Sequence, residues 1–226
     1  MLMNFSKLKP IMKPWRTNSG RAFSLFELLV VIAVLMLLAA IMLPILTRRP
    51  NNSRSGCTNN LKEVGLAFKM WAGDNGDKYP MQVSVTIGGA MEPATNGIVF
   101  PVFQVMSNEM NDPEVVICPE DTSRSPAPDF TTAFSNTNIS YFVGLDADET
   151  QPAMFLAGDR NITSWTPARH GILELTTNHV GGWTHEIHNS KGNILLTDGS
   201  VQQVTASNLN YLLQNSGAAT NRLLMP

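Results

Sequence analysis

Four histidines, His170, His179, His185 and His188, lie within a stretch of 19 residues, and Asp198 follows ten positions after the last of them. Imidazoles beside a carboxylate are the raw material of a metal centre or a general base. Their spacing argues against both. Ligands on one strand sit two positions apart and on one helix four, whereas His185 and His188 are three apart. No serine, cysteine or second base stands around them in a recognisable triad motif. The expectation is therefore a chain that is not an enzyme. In H-N-S-K-G-N-I-L-L-T-D-G, Asp198-Gly199 makes a two-residue type I′ hairpin, and His188 precedes the first strand, where it caps or bonds a neighbouring loop.

Two acidic clusters raise calcium, which takes several oxygens from a flexible loop. Asp74, Asn75 and Asp77 flank Gly76, and Asp146, Asp148 and Glu149 form the second group. Neither completes the D-x-[DN]-x-[DN]-G pattern, so a helix-stopping turn and a solvated acidic loop are the competing readings. No other cofactor is indicated. Cys57 and Cys118 lack C-x-x-C spacing, which argues against redox catalysis and zinc. Paired, they would close a loop of about 60 residues, a constraint of about 4 kcal/mol in the chain-entropy model. Unpaired, they would act as two small apolar residues.

The elements that must position these groups begin with an apolar run. Residues 21–46 read R-A-F-S-L-F-E-L-L-V-V-I-A-V-L-M-L-L-A-A-I-M-L-P-I-L, with a single acid, Glu27. As a helix, residues 23–46 would be about 36 Å long, enough for a hydrocarbon core of about 30 Å. A carboxylate at its edge is costly to bury, so Glu27 requires a partner. Before the run, Lys7, Lys9, Lys13, Arg16 and Arg21 stand without an acid and favour a cytoplasmic leader; Arg48, Arg49 and Arg54 after it oppose that orientation. A cleaved secretory signal is a poor fit, because the nearest A-x-A-like site, 38–40, is inside the run. Cys57 is too far beyond it for a lipoprotein anchor.

Whole-chain composition is 16 basic and 18 acidic residues. Without the five basic residues of the leader the balance is 11 against 18, a formal charge of −7, which argues against nucleic acid as a partner. After the polar stretch 51–56, Leu61, Val64, Phe68 and Trp71 recur at spacings of three and four, an amphipathic helix stopped by residues 73–76. Candidate strands are 82–87, 139–143, 153–157, 171–175, 193–197 and 200–205. A short helix is expected within 97–110, an exposed loop over 119–128, and a terminal helix over 207–214 capped by Ser207.

R-A-F-S-L-F-E-L-L-V-V-I resembles the N-terminal cleavage and methylation motif of type IV prepilins and type II secretion pseudopilins. The resemblance implies a cut between Ala22 and Phe23, N-methylation of Phe23, and Glu27 as the fifth mature residue. Pro44 would be the twenty-second, where many pilins carry a kinking proline. The family usually has Gly before the cut, where this chain has Ala22. In such filaments the glutamate is thought to pair with the methylated amine of a neighbouring subunit. His188, Asp198 and Gly199 match an H-x9-D-G signature of a large group of bacterial pilin-like proteins. The segments C-T-N-N-L-K-E-V-G-L-A-F-K-M-W-A-G-D-N-G-D-K-Y-P from Cys57 and I-C-P-E-D at 117–121 are similar to its spine-to-head junction and cysteine loop. Major pseudopilins carry a calcium site in the head.

The fold implied is α+β and pilin-like. A long N-terminal helix, transmembrane in its first half and amphipathic in its second, would pack on a small antiparallel β-sheet head. The organisation is a leader 1–22, a transmembrane and filament-core helix 23–46, a kinked amphipathic continuation 47–74 and a β-rich extracytoplasmic head 75–226. The function implied is a structural subunit, single-pass in the bacterial inner membrane before joining a pilus or pseudopilus. Its partners would be itself, other pilin-like subunits, the prepilin peptidase and an inner-membrane assembly platform. The alternatives are a type II secretion pseudopilin and an uncleaved, membrane-anchored protein whose head binds a glycan or calcium.

Overall fold

The computed structural model describes residues 24–47, 53–179 and 181–226. The chain divides into two compact units, 1–49 and 50–226. In the first, helix α1 spans Leu25–Thr47. Ser24 caps it: Glu27 N–H donates to Ser24 Oγ at 3.1 Å, and the Glu27 carboxylate accepts from Ser24 N–H at 3.4 Å. This is a reciprocal capping box.

The second unit opens with α2 (Ser53–Asp74). Short helices α3 (Met91–Thr95), α4 (Phe100–Val105) and α5 (Ser107–Met110) follow. Strands β1 (Tyr141–Gly144), β2 (Phe155–Asp159), β3 (Ile162–Thr163), β4 (Ile172–Thr176), β5 (Gly182–Trp183), β6 (Gly192–Leu196) and β7 (Val201–Val204) precede α6 (Ala206–Asn215) and β8 (Thr220–Leu224). Six strands form an antiparallel sheet in the order β4-β8-β1-β2-β6-β7, and β3 pairs with β5 in a separate ribbon.

Both faces of the sheet are covered, and strand alternation sorts the residues between them. On one face lie Leu61, Val64, Phe68 and Trp71 of α2 with Tyr141, Val143 and Leu195. On the other lie Leu209, Leu212 and Leu213 of α6 with Phe142, Ile194, Leu196 and Leu223. α2 approaches β6 closely because Gly65 has no side chain: a Cβ there would stand 2.8 Å from Leu195 Cδ1. A register shift between Phe155 and Ala157 of β2 is a bulge. Beyond it Asp159 stands opposite Tyr141 of β1.

The fold expectation requires correction in its N-terminal half. In place of one pilin-like helix over 23–73, the structure has two helices in separate compact units, with Arg48, Arg49, Pro50 and two asparagines between them in sequence. Among the described residues no helix is long and apolar enough to cross a membrane. The observed class is α+β with a six-stranded antiparallel sheet.

Smaller corrections have local causes. Residues 82–87 are not a strand; two 3-10 turns, Pro80–Gln82 and Val85–Ile87, occupy the region. Ser84 Oγ donates to Glu92 Oε1 at 2.6 Å and Val85 N–H donates to Glu92 Oε2 at 2.8 Å, so the side chain of Glu92 holds that backbone. Only Gly199 of the β6–β7 turn has positive φ, at 88°, which excludes type I′. Leu196 N–H donates to Ser200 O and Gly199 N–H to Leu196 O, both at 2.9 Å, a three-residue loop with left-handed glycine. Thr205, not Ser207, caps α6. Strand β8 was not anticipated; it pairs with both β1 and β4.

Two glycines of α2 report the tightness of its packing. Gly65→Val should destabilise by about 1–3 kcal/mol, because Leu195 is fully buried and has nowhere to go. Gly73→Ala, with nothing within 4 Å of the added Cβ, should stabilise by about 0.5–1 kcal/mol. Urea denaturation midpoints moving in opposite directions test the pair.

Candidate functional site

Three segments distant in sequence meet at one end of the sheet, on the α2 face: the first turns of α2, the loop 117–123 and the turn before β6. Cys57 on α2 is disulfide-bonded to Cys118 in the loop, with a Cα–Cα distance of 4.7 Å. The bond joins residues 61 positions apart, a constraint of about 4 kcal/mol on the unfolded chain. Cys118 Sγ lies 3.4 Å from Nε2 of His188, whose side chain is fully buried.

His188 sits between two carboxylates. Its Nδ1 is 2.5 Å from Glu120 Oε2 and its Nε2 is 3.3 Å from Asp159 Oδ2. Asp159 Oδ2 also accepts from Asn193 N–H at 2.6 Å and Asn193 Nδ2 at 2.9 Å. Burial by itself would lower the His188 pKa, but the hydrogen bonds and charges of Asp159 and Glu120 outweigh it and raise it. Burial also raises Asp159, against the opposing pull of His188 and Asn193. One ring nitrogen faces each carboxylate, and Asn193 Nδ2 also lies 3.1 Å from Nε2.

The backbone is bent to place this ring. His188, Asn189 and Ser190 all have positive φ, at 56°, 51° and 62°. Consecutive left-handed residues with side chains cost about 1–3 kcal/mol each and persist only where the surroundings over-determine them. Asn161 is one such determinant: its Nδ2 is 3.0 Å from Thr184 O, 2.8 Å from Ile187 O and 3.1 Å from Lys191 O. Next to Asp159, Arg160 forks onto Asp121, with Nε–Oδ2 at 2.7 Å and Nη2–Oδ1 at 2.9 Å, and reaches Glu186 through Nη1 at 2.9 Å. Burial would raise the pKa of Asp121, but hydrogen bonds from Arg160, Ser123 and Ser140 bring it below its ordinary value. Within I-C-P-E-D, Cys118, Glu120 and Asp121 therefore each tie the loop to a different element.

The chemistry available here is fastening. The sulfur atoms of Cys57 and Cys118 lie with a His188 nitrogen within 4.8 Å of one another, a ligand-like cluster, but the disulfide leaves no thiolate to bind a metal. The imidazole is enclosed, so it has no approach to a substrate. Among the residues singled out in sequence, His188 and both cysteines come together. Asp198 and Gly199 stand apart, at the far end of β6 from His188: the exposed Asp198 accepts Ser200 N–H at 2.8 Å, and its carbonyl accepts from Lys69 Nζ at 3.2 Å. His170, His179 and His185 are exposed.

Local contacts are made around both acidic clusters. Asn75 Nδ2 donates to Trp71 O at 2.8 Å, and Asn75 and Asp77 N–H both donate to Ala72 O at 2.9 Å, ending α2. Asp146 pairs with Arg222, and Asp148 accepts from Thr150. Ala22 and Phe23 lie outside the described residues, as does the side chain of Pro44. Asp159, Asn193 and Arg160 were not read from sequence; the signal available was a carboxylate directly ending the apolar run F-L-A-G-D.

Replacing His188 with Ala strands Asp159 in the interior and should cost about 3–5 kcal/mol, read by urea denaturation. The pH profile of stability supplies a second test. The raised pKa of His188 gives a contribution that is full below its ordinary value and is lost as pH rises through the folded value. The lowered pKa of Asp121 gives one that is full above its ordinary value of 3.8 and is lost as pH falls through the folded value. His188→Gln should flatten the alkaline limb and Asp121→Asn the acid limb. No protein-family model matches the chain, and neither a curated protein nor a solved structure matches it.

Proposed function

We propose that this chain is a pilin-like structural subunit, cut by a prepilin peptidase between Ala22 and Phe23 and built into a type IV pilus-like filament. The observation that carries the reading is the sequence register of Ala22, Phe23 and Glu27 at the head of the apolar run, together with helix α1, whose described apolar side chains are exposed. Leu25 is 82 % exposed, Phe26 76 %, Met36 64 % and Leu37 63 %, and residues between them point outward on every side. A helix apolar all round requires an apolar environment, which a bilayer supplies before assembly and like helices supply after it.

The disulfide supports the compartment. Such bonds persist outside the cytoplasm, so the unit holding Cys57 and Cys118 would be exported while the basic leader stays behind. The apolar segment then keeps the unassembled chain at the inner membrane. Cutting after Ala22 creates an amine at Phe23, one residue before the Ser24–Glu27 capping box. The Glu27 carboxylate, on this reading, would exchange its local bond for the amine of a neighbouring copy. On this reading the chain acts by assembly, with the peptidase, an assembly platform and other pilin-like subunits as partners.

Mass spectrometry of the purified protein should find N-methylated Phe23 as the first residue; an intact leader would sink the proposal. Glu27→Ala should remove the protein from sheared surface filaments at least tenfold while leaving leader removal in place. Recovery only in the envelope fraction, for the unmutated chain, would favour a secretion pseudopilus instead.

A further inference from the structure

A cavity of about 730 Å³ opens beside β4, lined by none of the residues around His188. Thr95, Asn96, Arg169, His170, Glu174 and Arg222 line it. Its floor is fixed. Arg169 and Ile172 exchange backbone hydrogen bonds at 2.8 and 2.9 Å around His170 and Gly171, both with positive φ, 47° and 73°. That is a two-residue hairpin turn of the primed type, which strongly prefers Asn, Asp or Gly at its first position. A histidine there breaks the local rule, and such departures gather where a side chain is wanted for another purpose. Met225 N–H holds Gly171 O at 2.7 Å. Gly97 meets the same turn backbone to backbone, too closely for any Cβ at either Gly97 or Gly171.

The charges select the ligand. Arg222 is engaged by Asp146 on its Nε and Nη2. No ion pair holds Arg169 among the described residues, and Glu174 faces the cavity as an acceptor. The guanidinium of Arg169 suits a carboxylate, and Glu174 stands by as an acceptor for neighbouring hydroxyls. Thr95, Asn96, Thr166 and Glu174 offer donors and acceptors for hydroxyls. Trp165, the neighbour in sequence of the lining Thr166, is 81 % exposed and so offers an aromatic surface outside the cavity lining.

We propose that this cleft binds an acidic saccharide, its carboxylate on Arg169, its hydroxyls on Glu174 and Asn96, and a pyranose face against Trp165. The site lies wholly in the second unit and does not depend on filament assembly.

Isothermal titration of the full chain in detergent tests it with three probes: trigalacturonate, its carboxyl-reduced neutral counterpart and inorganic phosphate. Trigalacturonate should bind about tenfold or more tightly than the neutral sugar, the worth of one charge-assisted hydrogen bond. Arg169→Gln should remove that advantage, Arg169→Lys should restore part of it, and Trp165→Ala should weaken both sugars several-fold, all with an unchanged melting temperature. No binding of trigalacturonate, equal affinity for the two sugars, indifference to Arg169→Gln, or phosphate binding as well as trigalacturonate would each overturn the assignment.

Discussion

Asp159 is a carboxylate with no exposed surface, placed at the end of a strand whose other residues are all buried. An isolated charge in that position is untenable, and the cost of stranding it exceeds the worth of most single contacts in a domain of this size. The neighbourhood is arranged as an answer. Asn193 brings two donors from β6, and His188 brings a third from a turn bent into the left-handed region. The ring so placed reaches Glu120, whose loop carries Cys118 and therefore holds α2. Sheet, loop and helix are joined through one oxygen atom and the imidazole beside it.

This arrangement changes the meaning of the C-terminal signature. His188 and Asp198 are separated by a fixed number of residues because a five-residue strand lies between them. One end of that strand needs a ring to meet Asp159 and the other needs a turn. The two residues never work on the same atom. The spacing measures β6, and the functional pairing runs across the sequence to Glu120 and Asp159.

Elements with a periodic face were legible. The α2 stripe of Leu61, Val64, Phe68 and Trp71 and the hairpin around Asp198-Gly199 followed from spacing and turn residues. What escaped was decided at a distance. Residues 82–87 alternate as a strand would, but Glu92 captures their backbone. Strand β8, T-N-R-L-L, has no alternation of its own and is made a strand by having β1 on one side and β4 on the other. Asp159 reads as an ordinary end-of-strand acid until its neighbours are in place. The expected spine reads as continuous only if proline and paired asparagines near residue 50 are overridden by tertiary packing. The site was half legible: its two cysteines and histidine carried motifs, and the groups that meet them did not.

The position of the disulfide on α2 also sets how the second unit meets a mechanical load. Cys57 falls in the opening turns of that helix, only a few residues after Ser53 where it begins. Tension arriving along the chain from the N-terminal side meets a covalent cross-link almost at once and passes into the loop at Cys118. Beyond that point α2 is shielded, and its hydrogen bonds are not peeled open one turn at a time. The imidazole and the Arg160–Asp121 fork connect that loop onward to the sheet.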